Sequence, residues 1–248
     1  MKKRGAVNAK EEQMKRRTFV KNTMAALPAV AALSLPGAGT TGDMQSVGLP
    51  APGKEWGETL LAALRNRKTI RNIGPQELPL QALSDLLWAA FGVNRPKAGL
   101  MGKPGRTAPS ASNSQEIDLY VVLPRGVYLY DGVHHRLLPV AAGDFRALAG
   151  RGDAARAPLN IFYVVDLTRY ELGPGQPDPS IGDPEVQKSY YFADTGFIAQ
   201  NVYLFAAARG LAAWFHHCDK ARAAKEFKLR PEQRVLFAQT VGFPASAR

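Results

Sequence analysis

The chain has 248 residues, of which 46% are hydrophobic, and these values are typical of one folded domain with a substantial core. The formal net charge is +11, but about half of the excess lies in the first 40 residues and no basic patch with interleaved aromatic side chains follows, so nucleic-acid binding is not expected. No stretch reaches the roughly 18 unbroken apolar residues of a membrane span. The single cysteine, Cys218, excludes an intrachain disulfide and a structural zinc site, and it suits a small core residue better than a redox thiol.

The first 39 residues have the pattern of an export signal. Arg16 and Arg17 are followed by Phe19 and then by an apolar run from Met24 to Leu35. A basic segment ahead of such a run is typical of a signal peptide, and paired arginines are typical of the twin-arginine route. The alternative is a chance Arg pair before a cytosolic amphipathic helix. We therefore expect an exported, periplasmic protein.

The rest of the chain is predicted to form a tether and one domain. Residues 40–55 are rich in Gly, Pro, Thr and Ser, which predicts a flexible tether, and the domain occupies residues 56–248. Periodicity predicts helices over 56–66, 80–91, 187–209 and 220–227. It predicts strands over 117–123, 127–131, 136–139, 160–165, 212–215 and 235–242. An exposed loop is expected over 95–107 and a long loop over 172–184. The fold class is α+β, with a central mixed or antiparallel sheet surrounded by helices. The long helix should be buried on nearly all sides and should end at Gly210.

A cationic segment, residues 67–71, follows the first predicted helix. Arg67, Lys68 and Arg71 bracket Thr69, so fixed cations and a hydroxyl lie close together. A phosphate needs donors of this kind, and Arg grips it bidentately. The alternative is a solvated basic helix end, whose cations only oppose the helix dipole.

A turn at residues 109–115, here named the Ser/Asn turn, offers small polar groups just before a strand. Ser110 and Ser112 carry hydroxyls, whereas Asn113 and Gln115 carry amides that both donate and accept hydrogen bonds. Such groups suit the ribityl chain and the pyrimidine edge of a flavin. The serines would also serve as helix caps.

Taken in order, these segments resemble the nitroreductase family of FMN oxidoreductases. The family begins with R-[RK]-[ST]-x-R, continues with a P-S-[SA]-x-N-x-Q turn and closes with G-[YF]-P, which match residues 67–71, 109–115 and 242–244. Gly210-Leu211, after the long helix, matches a further family segment. The G-[VL]-Y-x-Y-[DN] pattern at residues 126–131 resembles the SagB-type branch, which includes azoline-forming dehydrogenases.

The resemblance implies which residues hold the cofactor. In the family, the first segment and the turn contact FMN, and main-chain N–H groups shortly after the Gly-Leu pair approach flavin N5 and O4. Carried over residue by residue, the expected FMN contacts are Arg67, Lys68, Thr69, Arg71, Ser110, Ser112, Asn113, Gln115 and the main chain of His216 and His217. A basic residue that reaches the phosphate usually follows the closing segment, and only Arg248 is available here. No catalytic side chain is assigned, and no metal is expected because adjacent histidines in a strand point apart.

The resemblance also implies a homodimer with FMN at the subunit interface. The enzyme would transfer hydride or electrons through flavin N5 to or from a small organic substrate such as a nitro compound or a quinone. The loop 172–184 with Tyr190 and Tyr191 is the expected entrance, although helix packing explains the tyrosines equally well. The alternatives are a SagB-type dehydrogenase acting on a peptide or heterocycle, and a flavin-binding protein without turnover. Because export would remove the enzyme from cytosolic NAD(P)H, we expect a quinol, a redox protein or the substrate to supply electrons.

Overall fold

The computed structural model describes residues 44–54, 59–97, 99–170, 176 and 178–245, all within one compact unit. The predicted signal peptide, the start of the tether, residues 172–175 and 177 of the long loop, and Arg248 lie outside these residues. In chain order the described elements are β1 (Val47–Gly48), α1 (Leu60–Asn66), α2 (Leu80–Phe91), β2 (Val93–Arg95), β3 (Gly105–Arg106), β4 (Ile117–Leu123), β5 (Gly126–Asp131), β6 (Arg136–Ala142), α3 (Asp153–Arg156), β7 (Leu159–Asp166), α4 (Pro184–Ala208), β8 (Ala212–His216), α5 (Lys220–Glu226) and β9 (Gln233–Gly242).

Seven strands form one sheet in the order β1-β6-β5-β4-β7-β9-β8, and β2 pairs with β3 in a small second sheet. Every neighbouring pair in the large sheet is antiparallel. The α+β prediction is therefore confirmed, and the sheet is antiparallel rather than mixed. β8 lies at one edge, so one side of its main chain is left free to bind other groups.

Both faces of the sheet are covered, which explains the continuous apolar run in β4. Leu119 and Val121 belong to the cluster that α2 and α4 complete, whereas Tyr120 and Val122 belong to the cluster behind α5. The ring of Tyr120 stacks on Phe227 with centroids 5.4 Å apart. The sheet therefore holds α4 over one face and α5 over the other.

The long helix α4 is confirmed, and local sequence defines both of its ends. The side chain of Asp183 accepts a hydrogen bond from the main-chain N–H of Glu185 at the first turn. At the other end Gly210 has φ +65°, and the N–H of Leu211 donates to the carbonyl of Ala206 at 2.8 Å. A glycine in this left-handed position is the expected helix stop.

The expected burial of α4 on nearly all sides holds for one side only. Ile198 is fully buried and Phe205 is nearly so, both facing the sheet. By contrast, the exposed fractions of Phe192 and Phe197 are 40% and 49%. The helix thus presents large aromatic side chains on the surface of a single chain.

Residues 44–54 lie against the domain, although the sequence predicts a flexible tether there. β1 pairs with β6, the hydroxyl of Ser84 donates to the carbonyl of Pro50 at 2.5 Å, and the N–H of Gly53 donates to Asp85 at 2.8 Å. We name residues 44–54 the N-terminal strap. It covers the edge of β6, which would otherwise expose unpaired main-chain groups.

Two other segments differ in detail from the prediction. The loop predicted over 95–107 contributes to the paired strands β2 and β3. The first helix begins at Leu60 rather than at residue 56. Thr59 caps it, since its hydroxyl accepts a hydrogen bond from the N–H of Ala62 at 3.3 Å. Trp56 lies outside the described residues. None of the helices in the described ranges is long and apolar enough to cross a membrane.

Candidate active site at the free edge of the sheet

The cationic segment runs along the free edge of β8. The main-chain N–H of Ile70 donates to the carbonyl of Ala213 at 3.0 Å. The N–H of Phe215 donates to the hydroxyl oxygen of Tyr203 at 2.8 Å, and the same hydroxyl lies 3.1 Å from Oγ1 of Thr69. Main chain and side chain therefore both attach the segment to the edge strand.

The cations of this segment have aromatic neighbours and, within the part of the chain that the structure describes, no carboxylate partners. The guanidinium of Arg67 lies 5.6 Å from the ring centroid of Tyr203, and that of Arg71 lies 5.6 Å from the ring centroid of Trp214. Among the described residues, no ion pair involves Arg67, Lys68 or Arg71. Three cations held beside one strand without neutralising partners favour the binding of an anion.

The closing segment of the chain lies beside the cationic segment. The N–H of Gly74 donates to the carbonyl of Phe243 at 2.8 Å, and the N–H of Ala245 donates to the carbonyl of Asn72 at 3.0 Å. The described chain ends three residues before Arg248, so the contact expected of Arg248 stays a prediction. The two segments that the resemblance assigns to the phosphate are thus neighbours.

The alternation of the strand separates the two histidines that follow Gly210-Leu211. Because Ala213 and Phe215 bind groups on the free edge, their main chain points outward, whereas His217 follows the last residue of β8. The main chain of Trp214 and His216 points to β9 instead. Within the described residues the N–H of His217 has no hydrogen-bond partner. Of the two predicted main-chain donors, that of His216 belongs to the paired side of β8 and that of His217 has no partner among the described residues.

The side chain of His216 has a structural role. Its Nε2 lies 2.7 Å from Oγ1 of Thr240, its Nδ1 lies 2.7 Å from the carbonyl oxygen of His217, and Thr240 in turn donates to Asn160. Burial lowers the pKa of His216 below its usual value, despite the opposing effect of the His217 carbonyl. The ring therefore links β8 to its neighbours.

The amides of the Ser/Asn turn are used inside the protein. Nδ2 of Asn113 donates to the carbonyl of Leu100 at 3.0 Å, and Oε1 of Gln115 accepts from Nε of Arg106 at 2.7 Å. Nε2 of Gln115 also donates to Oδ1 of Asn113 at 2.9 Å. These bonds hold the preceding loop in place. For these two amides to face a flavin edge, as expected, Asn113 and Gln115 would have to exchange these internal hydrogen bonds for bonds to the flavin.

The serines of this turn differ from each other. The hydroxyl of Ser110 accepts from the N–H of Gln115 at 3.0 Å, as a local cap does. The hydroxyl of Ser112 has no hydrogen-bond partner among the described residues, and its φ is +50°. Asn113 and Gln115 also have positive φ, at 54° each. Left-handed backbone at three non-glycine residues is unusual and is concentrated at functional turns.

A buried carboxyl pair anchors the Ser/Asn turn to α4. Oδ2 of Asp194 accepts from the N–H of Ala111 at 2.9 Å, and the hydroxyl of Ser114 donates to Glu116 at 2.5 Å. Glu116 is fully buried and Asp194 is 3% exposed. Burial, followed by the nearby Glu116 carboxyl, raises the pKa of Asp194 to about 8. One proton is therefore retained by this pair at neutral pH.

The structure brings the cationic segment together with β8 and the closing segment, whereas the Ser/Asn turn contacts another part of α4. Tyr203, beside the cationic segment, and Asp194, beside the Ser/Asn turn, are nine residues apart on α4, which is about 14 Å along the helix axis at 1.5 Å per residue. No hydrogen bond joins the turn to the cationic segment within the described ranges. A single chain therefore carries two separate halves of the predicted cradle.

Tyr190 and Tyr191 have different environments. The hydroxyl of Tyr190 donates to Asp178 at 2.8 Å, which attaches the end of the long loop to α4. Tyr191 is 6% exposed and packs its ring on Phe192 with centroids 4.7 Å apart. A cleft of about 200 Å³ lies nearby and is lined by Leu167, Pro184, Glu185, Gln187, Lys188, Tyr191 and Arg234. That volume is below the range usual for a cofactor site.

Cys218 and His135 both have partners within the domain. Burial raises the pKa of Cys218 to about 11, and its side chain packs against the cluster behind α5, as expected of a core residue rather than a reactive thiol. Nε2 of His135 lies 2.7 Å from the hydroxyl of Ser84, and its Nδ1 lies 2.9 Å from that of Tyr130. The described residues contain no cluster of three or more metal-binding side chains.

Two residues of this site were not singled out by the sequence patterns. Tyr203 lies in an apolar helix, where an aromatic side chain looks like core packing. Asp194 offered a weak signal, because a carboxylate within an apolar helix needs a partner when it is buried. Neither partner is near in sequence: Thr69 and Ala111 are brought to the helix only by the fold.

The fold and the site define an antiparallel α+β protein with a cationic segment along a free sheet edge. The model of the nitroreductase family matches residues 64–243. A solved nitroreductase-like protein from Ralstonia eutropha JMP134 is similar with 35% identity and a TM-score of 0.72, over 86% of this chain and 96% of that one. The nitroreductase-like protein MJ1384 of Methanocaldococcus jannaschii is 29% identical over 159 residues, which are 60% of this chain and 73% of that protein.

A more distant fold likeness is to the E. coli microcin synthetase McbBCD complex with bound pro-microcin. It has 18% identity and a TM-score of 0.55, over 94% of this chain and 91% of the other. This likeness concerns the fold alone. The family match covers most of the chain, so the protein belongs to the nitroreductase family and is a flavin-dependent oxidoreductase.

Proposed function

We propose that the protein is an FMN-dependent oxidoreductase that acts on a small organic substrate such as a nitro compound or a quinone. The observation that carries this proposal is the cationic segment, which runs along the free edge of β8 and whose Arg67, Lys68 and Arg71 have no ion pair with any described residue. Such cations suit the phosphate of a mononucleotide flavin. Arg248 is a further candidate for the same phosphate.

The donor set of this edge fits FMN in its chemical character. Arg67, Lys68 and Arg71 supply charge-assisted donors, Thr69 supplies a hydroxyl, and the N–H of His217 supplies a main-chain donor suited to a ring nitrogen or carbonyl. When bound, FMN supplies the redox chemistry, by taking up and releasing hydride or electrons at its ring. The protein contributes orientation, positive charge and shielding from water.

A homodimer is part of the proposal, because a second copy would supply the other half of the cradle. The exposed apolar side chains include Leu60, Leu61 and Leu64 on α1 and Phe192 and Phe197 on α4, and these two helices pack on each other. Large exposed apolar side chains grouped on neighbouring helices are typical of a protein interface. Ser112 of the partner, together with Ser110, Asn113 and Gln115 of its turn, would then complete the flavin site.

The SagB-type alternative, a dehydrogenase of a peptide or heterocycle, rests on the hairpin pattern at residues 126–131. Tyr128 and Tyr130 of this hairpin belong to the core, and the hydroxyl of Tyr130 contacts His135. Core packing explains the pattern without reference to a substrate. A flavin-binding protein without turnover is the remaining alternative, and reduction by a donor separates it from both enzymes.

We further propose that residues 1–39 direct export by the twin-arginine route, residues 40–55 follow them, and residues 56–248 form the catalytic domain in the periplasm. Electrons would then come from a quinol, a redox protein or the substrate rather than from NAD(P)H. Replacement of Arg16 and Arg17 by Lys should leave the protein in the cytoplasmic fraction. Accumulation of this variant in the periplasm would contradict the proposed route.

The central test is the visible spectrum of the purified full-length protein, followed by heat release and identification of the flavin. We expect one FMN per chain. Anaerobic titration with NADH, NADPH and a soluble quinol then identifies the donor by loss of the flavin absorbance. A protein that neither retains nor rebinds FMN would overturn the proposal, and a yellow protein reduced by no donor or substrate would leave only the flavin-binding alternative.

A further inference from the structure

Tyr203 lies between the cationic segment and the edge strand, and its hydroxyl has two neighbours. The N–H of Phe215 donates to it at 2.8 Å, and Oγ1 of Thr69 lies 3.1 Å away. Tyr203 and Thr69 are both half-buried. Either hydroxyl can donate to the other, and the direction decides which of the two protons remains available to a further acceptor.

A tyrosine hydroxyl has one proton and two acceptor positions. Because the main-chain N–H of Phe215 must donate, it occupies one acceptor position of Tyr203. If Thr69 occupied the second, the proton of Tyr203 would be left without an acceptor among the described residues. If Tyr203 instead donates to Thr69, the proton of Thr69 is the one without an acceptor among the described residues, and it is free to donate to a ligand. The second arrangement leaves the proton of Thr69 directed away from Tyr203.

We propose that Tyr203 is a positioning residue for the flavin phosphate, acting through Thr69, an inference that rests on the proposed FMN function. The chain of hydrogen bonds runs from the N–H of Phe215 to Tyr203, from Tyr203 to Thr69 and from Thr69 to a phosphate oxygen. An anionic oxygen only accepts hydrogen bonds, so it requires Thr69 to be the donor. Tyr203 thereby favours FMN over riboflavin, which lacks the phosphate.

The Tyr203→Phe variant isolates the hydroxyl. The ring stays beneath the guanidinium of Arg67, which lies 5.6 Å from its centroid, so that contact is kept. Without the tyrosine proton, Thr69 loses its fixed direction and the N–H of Phe215 loses its acceptor. Tyr130→Phe is a matched control, because the hydroxyl of Tyr130 is also hydrogen-bonded, to His135, but lies in the hairpin β5–β6.

The experiment measures the Kd of FMN and of riboflavin for the apoprotein, by quenching of flavin fluorescence. Tyr203→Phe should raise the Kd of FMN about tenfold and that of riboflavin less than twofold. Thr69→Val should have the same effect, Thr69→Ser should keep the preference, and adding Tyr203→Phe to Thr69→Val should change nothing more. Tyr130→Phe should leave both values unchanged.

The outcomes separate this inference from the proposed function. A wild-type protein that binds neither flavin would overturn the proposed function. A wild-type protein that binds FMN, with an unchanged FMN to riboflavin ratio in Tyr203→Phe, would overturn the inference alone. If Tyr203→Phe does not fold, Thr69→Val and Thr69→Ser are compared instead. An equal preference for FMN over riboflavin in these two variants would show that the Thr69 hydroxyl has no role, and it would overturn the inference.

Discussion

The main-chain N–H of Ala111 donates to the carboxylate of Asp194 at 2.9 Å, across 83 residues of sequence. This bond joins the Ser/Asn turn to α4, and Glu116 lies next to it in the same buried site. Two buried carboxyls within hydrogen-bonding distance do not both ionise near neutral pH, so they hold a proton between them. The turn therefore depends on a group whose protonation varies within the physiological range.

Asp194→Asn should flatten the dependence of stability on pH. The pKa of Asp194 is raised to about 8 in the folded protein, from 3.8 in the unfolded chain. Between these two pH values the folded state binds a proton that the unfolded state has released. By linkage, this group lowers the free energy of unfolding as pH rises through that interval. Asp194 makes the free energy of unfolding fall by at most about 1.4 kcal/mol per pH unit between pH 5 and 8. This fall should be absent in the variant, as measured by urea unfolding. Glu116→Gln should act similarly and not additively, and an unchanged slope in both would contradict the shared proton.

Arg71→Gln should weaken the binding of FMN. Arg71 has no carboxylate partner among the described residues and lies over Trp214, so its charge is available to a phosphate. Loss of one charge-assisted contact should raise the Kd about tenfold or more, measured by quenching of flavin fluorescence. Arg136→Gln is the matched control, since Arg136 pairs with Asp131 in the hairpin. Equal losses in both variants would indicate a general charge effect rather than a phosphate site.

His135→Asn should loosen the N-terminal strap and reduce acid sensitivity. His135 contacts Ser84, Tyr130 and the carbonyl of Pro50, and burial lowers its pKa despite the Pro50 carbonyl and Asp85, which raise it. The unfolded state therefore binds a proton below about pH 6.5 that the folded state resists, so wild-type stability falls as pH falls through this window.

The Asn variant keeps the left-handed backbone, since φ of His135 is +49° and Asn tolerates this region. We expect a loss of about 1–2 kcal/mol at pH 7.5, a shallower loss towards pH 5, and faster tryptic cleavage after the exposed Lys54. His134→Asn, in the same turn, is the control. Wild-type rates of cleavage in His135→Asn would show that the histidine does not hold the strap.

Phe197→Glu should separate the proposed dimer. The side chain of Phe197 is 49% exposed in one chain, so Glu is tolerated in a monomer but places a charge within an apolar interface. We expect half the wild-type mass by light scattering, weaker FMN binding and unchanged far-UV circular dichroism. Val133→Glu is the control, because Val133 is 57% exposed at the tip of the hairpin. A dimeric Phe197→Glu protein would place the interface elsewhere.

Local pattern alone determined the helices, most strands and the composition of the cationic segment. The apolar periods of α2 and α4, the helix stop at Gly210 and the β4 run depend on neighbours in sequence, and so they were predictable. The motif order also pointed to the family that the comparison with residues 64–243 identified.

Only the tertiary structure decided how these segments meet. Residues 69, 203 and 215 come together because β8 is an edge strand with α4 beside it, and residues 111 and 194 meet because α4 passes under the turn. The strap could not be predicted, since its bonds to Ser84 and Asp85 join segments about 30 residues apart. Sequence patterns report local periodicity and donor chemistry, whereas strand order and long-range pairing are set by the packing of the whole sheet.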